Sequence, residues 1–131
     1  MKKKIAIIGI GYVGLPLAVE FAKKYKVIGF DINLSRVSEL DKNKDSTFEI
    51  QDEEILSVRD NLNFTSNIND TKECNIYIIS VPTPIDEFNK PNLEPLISSS
   101  KSVGAVIKKD NIIIYESTVY PGVTEDVCVK E

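Results

Sequence analysis

Three glycines set the terms for this chain. They stand at Gly9, Gly11 and Gly14 in the run KKKIAIIGIGYVGLPLAVEFAKKYKVIGFDIN, residues 2–33. Residues 5–8 are an unbroken apolar run, the pattern of a strand buried on both faces of a parallel sheet. After the glycines, Val13, Leu17 and Phe21 recur at helical spacing with Ala18 and Ala22 beside them, which predicts a helix over 13–24. Pro16 falls early enough to be tolerated, because first-turn N–H groups lack intrahelical partners. A second strand over 27–30 ends at Asp31, 22 residues after Gly9.

A G-x-G-x-x-G motif alone is a weak signal. Here a strand precedes it, a helix follows it, it opens the first βαβ unit, and an acidic residue ends the second strand. Each residue then has a task. Gly9 permits the tight turn, Gly11 lets a pyrophosphate approach the backbone, and Gly14 lets the helix pack closely. The N–H groups of Tyr12 and Val13 face the phosphates from the positive end of a helix dipole. Asp31 accepts hydrogen bonds from adenosine ribose hydroxyls and repels a 2′-phosphate, so the expected cofactor is NAD in preference to NADP.

Further along, a helix is expected over 34–40 from Leu34, Val37 and Leu40, followed by a polar loop over 41–50. Next come a short helix over 52–58, a third strand over 63–65 and a helix or turn over 67–73. Residues 76–81 read as a strong strand stopped by Pro82. Asn92 suits the N-cap of a helix over 93–108, and residues 112–115 read as a fifth strand. Strands alternating with helices predict an α/β fold: a Rossmann-type, doubly wound parallel sheet ordered 3-2-1-4-5. The last run, V-T-E-D-V-C-V-K-E, has no helix stop signal. The expectation is one domain over 1–131, truncated, with its last strand missing.

Composition narrows the partners. The net charge of −4 argues against a nucleic-acid binder. No run is long enough to span a membrane and no secretory leader is visible, so the expected compartment is the cytoplasm. Histidine is absent, which removes His-based nucleophile systems and the commonest metal ligand. No metal site is expected. Cys74 and Cys128 form no C-x-x-C pair and read as free thiols.

Two later stretches follow strands expected to be buried: V-P-T-P at 81–84 and E-S-T-V-Y-P-G at 116–122. Both project from carboxyl strand ends, where open α/β sheets bind ligands. Thr83, Ser117 and Thr118 are therefore placed to touch a bound cofactor or substrate, with Val81 and Pro82 at the same strand end. A rigid loop start at V-P-T-P, and a helix N-cap at Ser117 and Thr118, account for the same residues without a ligand.

Together, G-x-G-Y-V-G-L-P-L-A, G-F-D-I-N, V-P-T-P-I-D and E-S-T-V-Y-P-G-V-T-E resemble the N-terminal NAD-binding domain of the UDP-glucose/GDP-mannose dehydrogenase family. The resemblance covers essentially all 131 residues. It is nearest to the branch acting on UDP-N-acetylhexosamines in bacterial surface polysaccharide synthesis. It implies oxidation of a nucleotide-sugar C6 hydroxyl to a carboxylate with two NAD, through a thiohemiacetal and a thioester on a cysteine. By position it implies pyrophosphate contacts at Tyr12 and Val13, ribose contact at Asp31 and cofactor contact at Thr83. Arg36 matches a basic residue reaching the adenosine ribose, though a surface helix arginine is the competing reading. Thr118 matches a threonine that orients water or substrate near the nicotinamide.

The family's nucleophilic cysteine, catalytic lysine and asparagine, dimerisation helix and sugar-nucleotide domain have no counterpart in these 131 residues. Cys128, between Val127 and Val129, reads as a packing residue. The parent enzyme is expected to be a homodimer, to meet its UDP-sugar only with the missing half, and to bind neither nucleic acid nor membrane. This chain alone is expected to bind NAD without turnover. A non-catalytic NAD-sensing module, or the N-terminal domain of a β-hydroxyacid-type dehydrogenase, would carry the same glycine motif.

Overall fold

The computed structural model of the protein describes residues 3–11, 13–47, 49–81 and 93–116. β1 (Lys4–Ile8) forms the centre of a five-stranded parallel sheet. β2 (Lys26–Phe30) and β3 (Leu62–Thr65) lie to one side, and β4 (Ile76–Ile79) and β5 (Ile112–Tyr115) to the other. The order β3-β2-β1-β4-β5 is the expected one, with every pair parallel.

The apolar run of β1 serves two cores. Alternate strand residues point to opposite faces. Ile5 and Ile7 join one cluster with Leu15, Ala18, Val37 and Ile55. Ala6 and Ile8 join another with Tyr77, Ile79, Leu96 and Val103. Helices α1 (Gly14–Ala22), α2 (Leu34–Asp41) and α3 (Asp52–Ser57) supply the first layer. α4 (Glu94–Gly104) supplies the second.

Several details differ from the sequence expectation. The buried stripe of α1 is Gly14, Leu15, Ala18, Val19 and Ala22, while Val13 is exposed and Leu17 and Phe21 lie on its flank. Gly14, Ala18 and Ala22 let the helix axis approach the sheet, with Leu15 and Val19 buried beside them. α1 also stops at Ala22, so Lys23 and Lys24 follow the helix and do not occupy its last turn. In α2 the buried residues are Arg36, Val37 and Leu40, and Leu34 is exposed. β4 ends at Ile79, although the Ser80 N–H still donates to the Ile8 carbonyl at 2.9 Å. α4 ends at Gly104, so Lys108 and Lys109 lie beyond it, and its expected cap Asn92 falls outside the described residues. Residues 67–73 contain a single 3-10 turn, Ile68–Thr71. β5 was expected to be buried, yet Ile112, Ile113 and Ile114 are all exposed. Among the described residues only β4 flanks it.

Gly14 is where the two halves of the first βαβ unit meet most tightly. A Cβ there would stand 1.8 Å from the Gly9 carbonyl oxygen and 2.6 Å from Ser80 Oγ. Backbone cannot yield as a flexible side chain can. We expect Gly14→Ala to cost about 3 kcal/mol or more, at the severe end of overpacking. Urea unfolding measures it, and a cost under about 1 kcal/mol would contradict this packing.

Candidate functional site

The three glycines have three different physical reasons. Gly9 sits at φ 91°, a left-handed conformation that L side chains rarely adopt. Its N–H donates to the Phe30 carbonyl at 2.8 Å, and a Cβ would meet Val81 Cγ1 at 2.7 Å. Gly14 is fixed by its contact with Gly9 and Ser80, whose hydroxyl donates to the Gly9 carbonyl at 2.8 Å. Gly11 has neither reason: its φ is not in the left-handed region, and among the described residues beyond its chain neighbours a Cβ would meet nothing within 4 Å. The space beside Gly11 belongs to a cavity.

That cavity, about 570 Å³ in volume, lies at the carboxyl ends of the central strands. Gly9 and Gly11 form its floor. On one side stand Asp31, Arg36 and Thr47; on the other stand Ser80, Val81 and the first turns of α4. The connections leaving neighbouring strands diverge here, because the chain runs from β1 to β2 and β3 in one direction and then returns to β4 on the other side. Such a switch point opens a crevice.

The wall beside Asp31 is a hydrogen-bonded network. Asp31 Oδ2 accepts from the Ile10 N–H at 3.2 Å, and Oδ1 from the Asn33 N–H at 2.9 Å. Asn33 caps α2, its side-chain oxygen accepting from the N–H groups of Ser35 and Arg36. Arg36 then reaches back: Nε donates to the Ile10 carbonyl at 2.7 Å. Its Nη1 donates to Glu39 and to Asp45, each at 2.7 Å. Nη2 is buried with no partner among the described residues.

Asp45 has a fully buried carboxylate. It accepts from the Thr47 N–H and hydroxyl and from the N–H groups of Glu49 and Ile50, as well as from Arg36. Burial pushes its pKa up, but the Thr47 hydroxyl, the Arg36 guanidinium and the backbone donors outweigh that and hold it at about 2. Burial likewise works against the charge on Arg36, and its bonds to Glu39 and Asp45 more than compensate, leaving its pKa raised. Glu39 is lowered, chiefly by its bond to Arg36.

Of the residues singled out in the sequence, Gly9, Gly11, Asp31, Arg36 and Val81 line one cavity. Gly14 stands behind the turn, and Val13 is an exposed helix start that does not line the space. Tyr12, Pro82, Thr83, Ser117 and Thr118 fall outside the described residues, as does Cys128. Arg36 is 8% exposed, so it is not a surface arginine. Cys74 is buried, and burial raises its thiol to about 11, the opposite of an activated nucleophile. Sequence reasoning missed Thr47, Ser80 and Asp45. Ser80 immediately precedes V-P-T-P, a usable signal; Asp45 and Thr47 sit in a polar loop that offers none.

Comparison with known proteins agrees with this geometry. Residues 3–131 match the model of the UDP-glucose/GDP-mannose dehydrogenase family, NAD binding domain. The chain is 55% identical over 126 residues to a UDP-N-acetyl-D-glucosamine 6-dehydrogenase of Pseudomonas aeruginosa, covering 96% of this chain and 30% of that protein. It is 54% identical to protein CapL of Staphylococcus aureus, covering 98% of this chain and 30% of the other. The solved UDP-D-ManNAc dehydrogenase of Pyrococcus horikoshii superposes with a TM-score of 0.89 at 33% identity, over 95% of this chain and 30% of that one. The chain therefore spans about 30% of the length of the curated relatives it matches. It belongs to the UDP-glucose/GDP-mannose dehydrogenase family as that family's NAD-binding domain, and its cofactor is NAD.

The depressed Asp45 carboxyl ties stability to pH. Its ordinary pKa of 3.8 falls to about 2 in the fold. The carboxylate therefore adds about 2 kcal/mol above pH ~4, lost as pH falls towards ~2. About 1 kcal/mol of this disappears between pH ~5 and ~3. Urea midpoints at those two pH values should fall less for Asp45→Asn than for the wild type. Parallel losses in both proteins would contradict the assignment.

Proposed function

We propose that this chain holds the oxidant for a nucleotide-sugar 6-dehydrogenase that converts the C6 hydroxyl of a UDP-N-acetylhexosamine to a carboxylate. The observation that carries the cofactor half of this reading is Gly11. Among the described residues nothing requires a glycine there, and the room its missing Cβ leaves opens on the cavity. A pyrophosphate lying against that backbone accounts for it. NAD, when bound, accepts hydride from the sugar carbon; the chain's own task is to hold and orient it.

The cavity fits such a cofactor in two further respects. Each Asp31 oxygen spends one acceptor site on backbone, leaving the carboxylate able to take ribose hydroxyls. Arg36 Nη2 is a buried donor without an acceptor among the described residues, on a side chain in the same wall. We assign the backbone N–H groups at Tyr12 and Val13, at the helix start, to the pyrophosphate. Val81, Pro82, Thr83, Ser117 and Thr118 go to the part of the cofactor across the strand ends, with Thr118 nearest the chemistry. The support for those assignments is sequence position in a family member.

The sugar reading rests on identity. At 55% the chain is nearer to the UDP-N-acetyl-D-glucosamine relative than to the 33% identical mannosamine dehydrogenase structure, so an N-acetylglucosamine nucleotide is our proposed substrate. Family membership also supports a cytoplasmic, homodimeric parent serving polysaccharide synthesis. The described residues contain no helix long and apolar enough to cross a membrane.

Gly11→Ala separates cofactor binding from folding. Without a positive φ or a neighbour to strike, the alanine should leave unfolding stability within about 1 kcal/mol of wild type. It should weaken NADH binding about tenfold or more, seen as a collapsed ligand-induced rise in melting temperature. Equal rises in both proteins, or no rise in the wild type with millimolar NADH, would contradict the reading.

A further inference from the structure

The backbone at Ile10 is held on both sides. Its N–H is taken by Asp31 and its carbonyl by Arg36 Nε. That carbonyl shares one peptide plane with the Gly11 N–H, and the described chain has no cis bonds. In a trans peptide the two groups point in opposite directions, so directing the carbonyl at Arg36 also directs the Gly11 N–H. Arg36 is itself held, through Nη1, by Glu39 and Asp45. Asp45 is anchored by Thr47, Glu49 and Ile50, in a loop 31 or more residues from the glycines in sequence.

A buried ion pair is a weak device for stability, because desolvation offsets much of its attraction. This one stands a single hydrogen bond from the peptide that forms the cavity floor. We propose that Asp45 is a positioning residue for the phosphate-binding turn: by pinning Arg36 against the Ile10 carbonyl, it sets the plane of the Ile10–Gly11 peptide. It thereby governs affinity for the pyrophosphate portion of the cofactor more than for the adenosine portion. The same carboxylate holds Thr47 on the cavity wall, so loop and turn are registered together. The inference rests on the dinucleotide reading of this cavity.

Asp45→Asn keeps the side chain's size and removes its charge. Calorimetric titrations with NADH and ADP-ribose should show affinity falling about tenfold, while adenosine, followed by NMR, changes less than about twofold. In the ligand-free variant, ¹⁵N relaxation should show a lower order parameter at Gly11, with β1 and α1 unchanged. Arg36→Lys keeps a cation for Asp45 but has no Nε–H for Ile10; if Asp45→Asn does not fold, it should show the same loss of order at Gly11. Equal losses for adenosine and NADH, an unchanged NADH affinity, or a Gly11 as ordered as in the wild type would overturn the positioning role. A wild type that binds none of these ligands would instead overturn the dinucleotide reading, and this inference with it.

Discussion

β1 has no polar face. Ile5, Ala6, Ile7 and Ile8 are all buried, and alternate residues belong to different cores. A strand in that position needs helices on both sides of the sheet, and parallel neighbours need crossover connections long enough to contain them. Placing β2 and β4 on either side of β1 follows, and so does the crevice at the carboxyl ends where their connections diverge. The binding cavity is thus a consequence of how the central strand is covered.

What the glycine turn adds is closeness. Gly9 and Gly14 bring the turn, the helix start and Ser80 into contact that no Cβ permits. Gly11, by contrast, keeps open a space that no described residue beyond its chain neighbours fills. The carboxylate of Asp31 has a double part, as a brace on Ile10 and Asn33 and as a charged group on the cavity wall. A single side chain therefore couples the shape of the turn to the charge on the cavity wall.

The sheet order, the strands and the dinucleotide turn were legible because hydrophobic period and glycine spacing are local signals. The helix faces were less so. Periodicity counts Leu34 as apolar and Arg36 as polar, yet Arg36 is inside and Leu34 outside. The reason is tertiary: Ile10, Glu39 and Asp45 supply partners that no window around Arg36 contains. In α1 the larger apolar residues drew the stripe through Val13, Leu17 and Phe21, whereas close packing favours Ala18 and Ala22. Asp45 was invisible for a related cause, since a buried carboxylate in a polar loop looks like any other acidic loop residue. The apolar run at 112–114 has the pattern of a buried strand; its place at the outer side of β4 leaves it exposed among the described residues.

On the proposed reading, Asp31 is the group that selects among dinucleotides. Its carboxylate lies on the wall where an adenosine ribose would rest, and a 2′-phosphate there would bring like charges together in a half-enclosed space. Calorimetric titration of the purified protein with NADH and with NADPH tests that most directly. NADH should bind at least about tenfold more tightly. Equal affinities, or tighter binding of NADPH, would contradict the account.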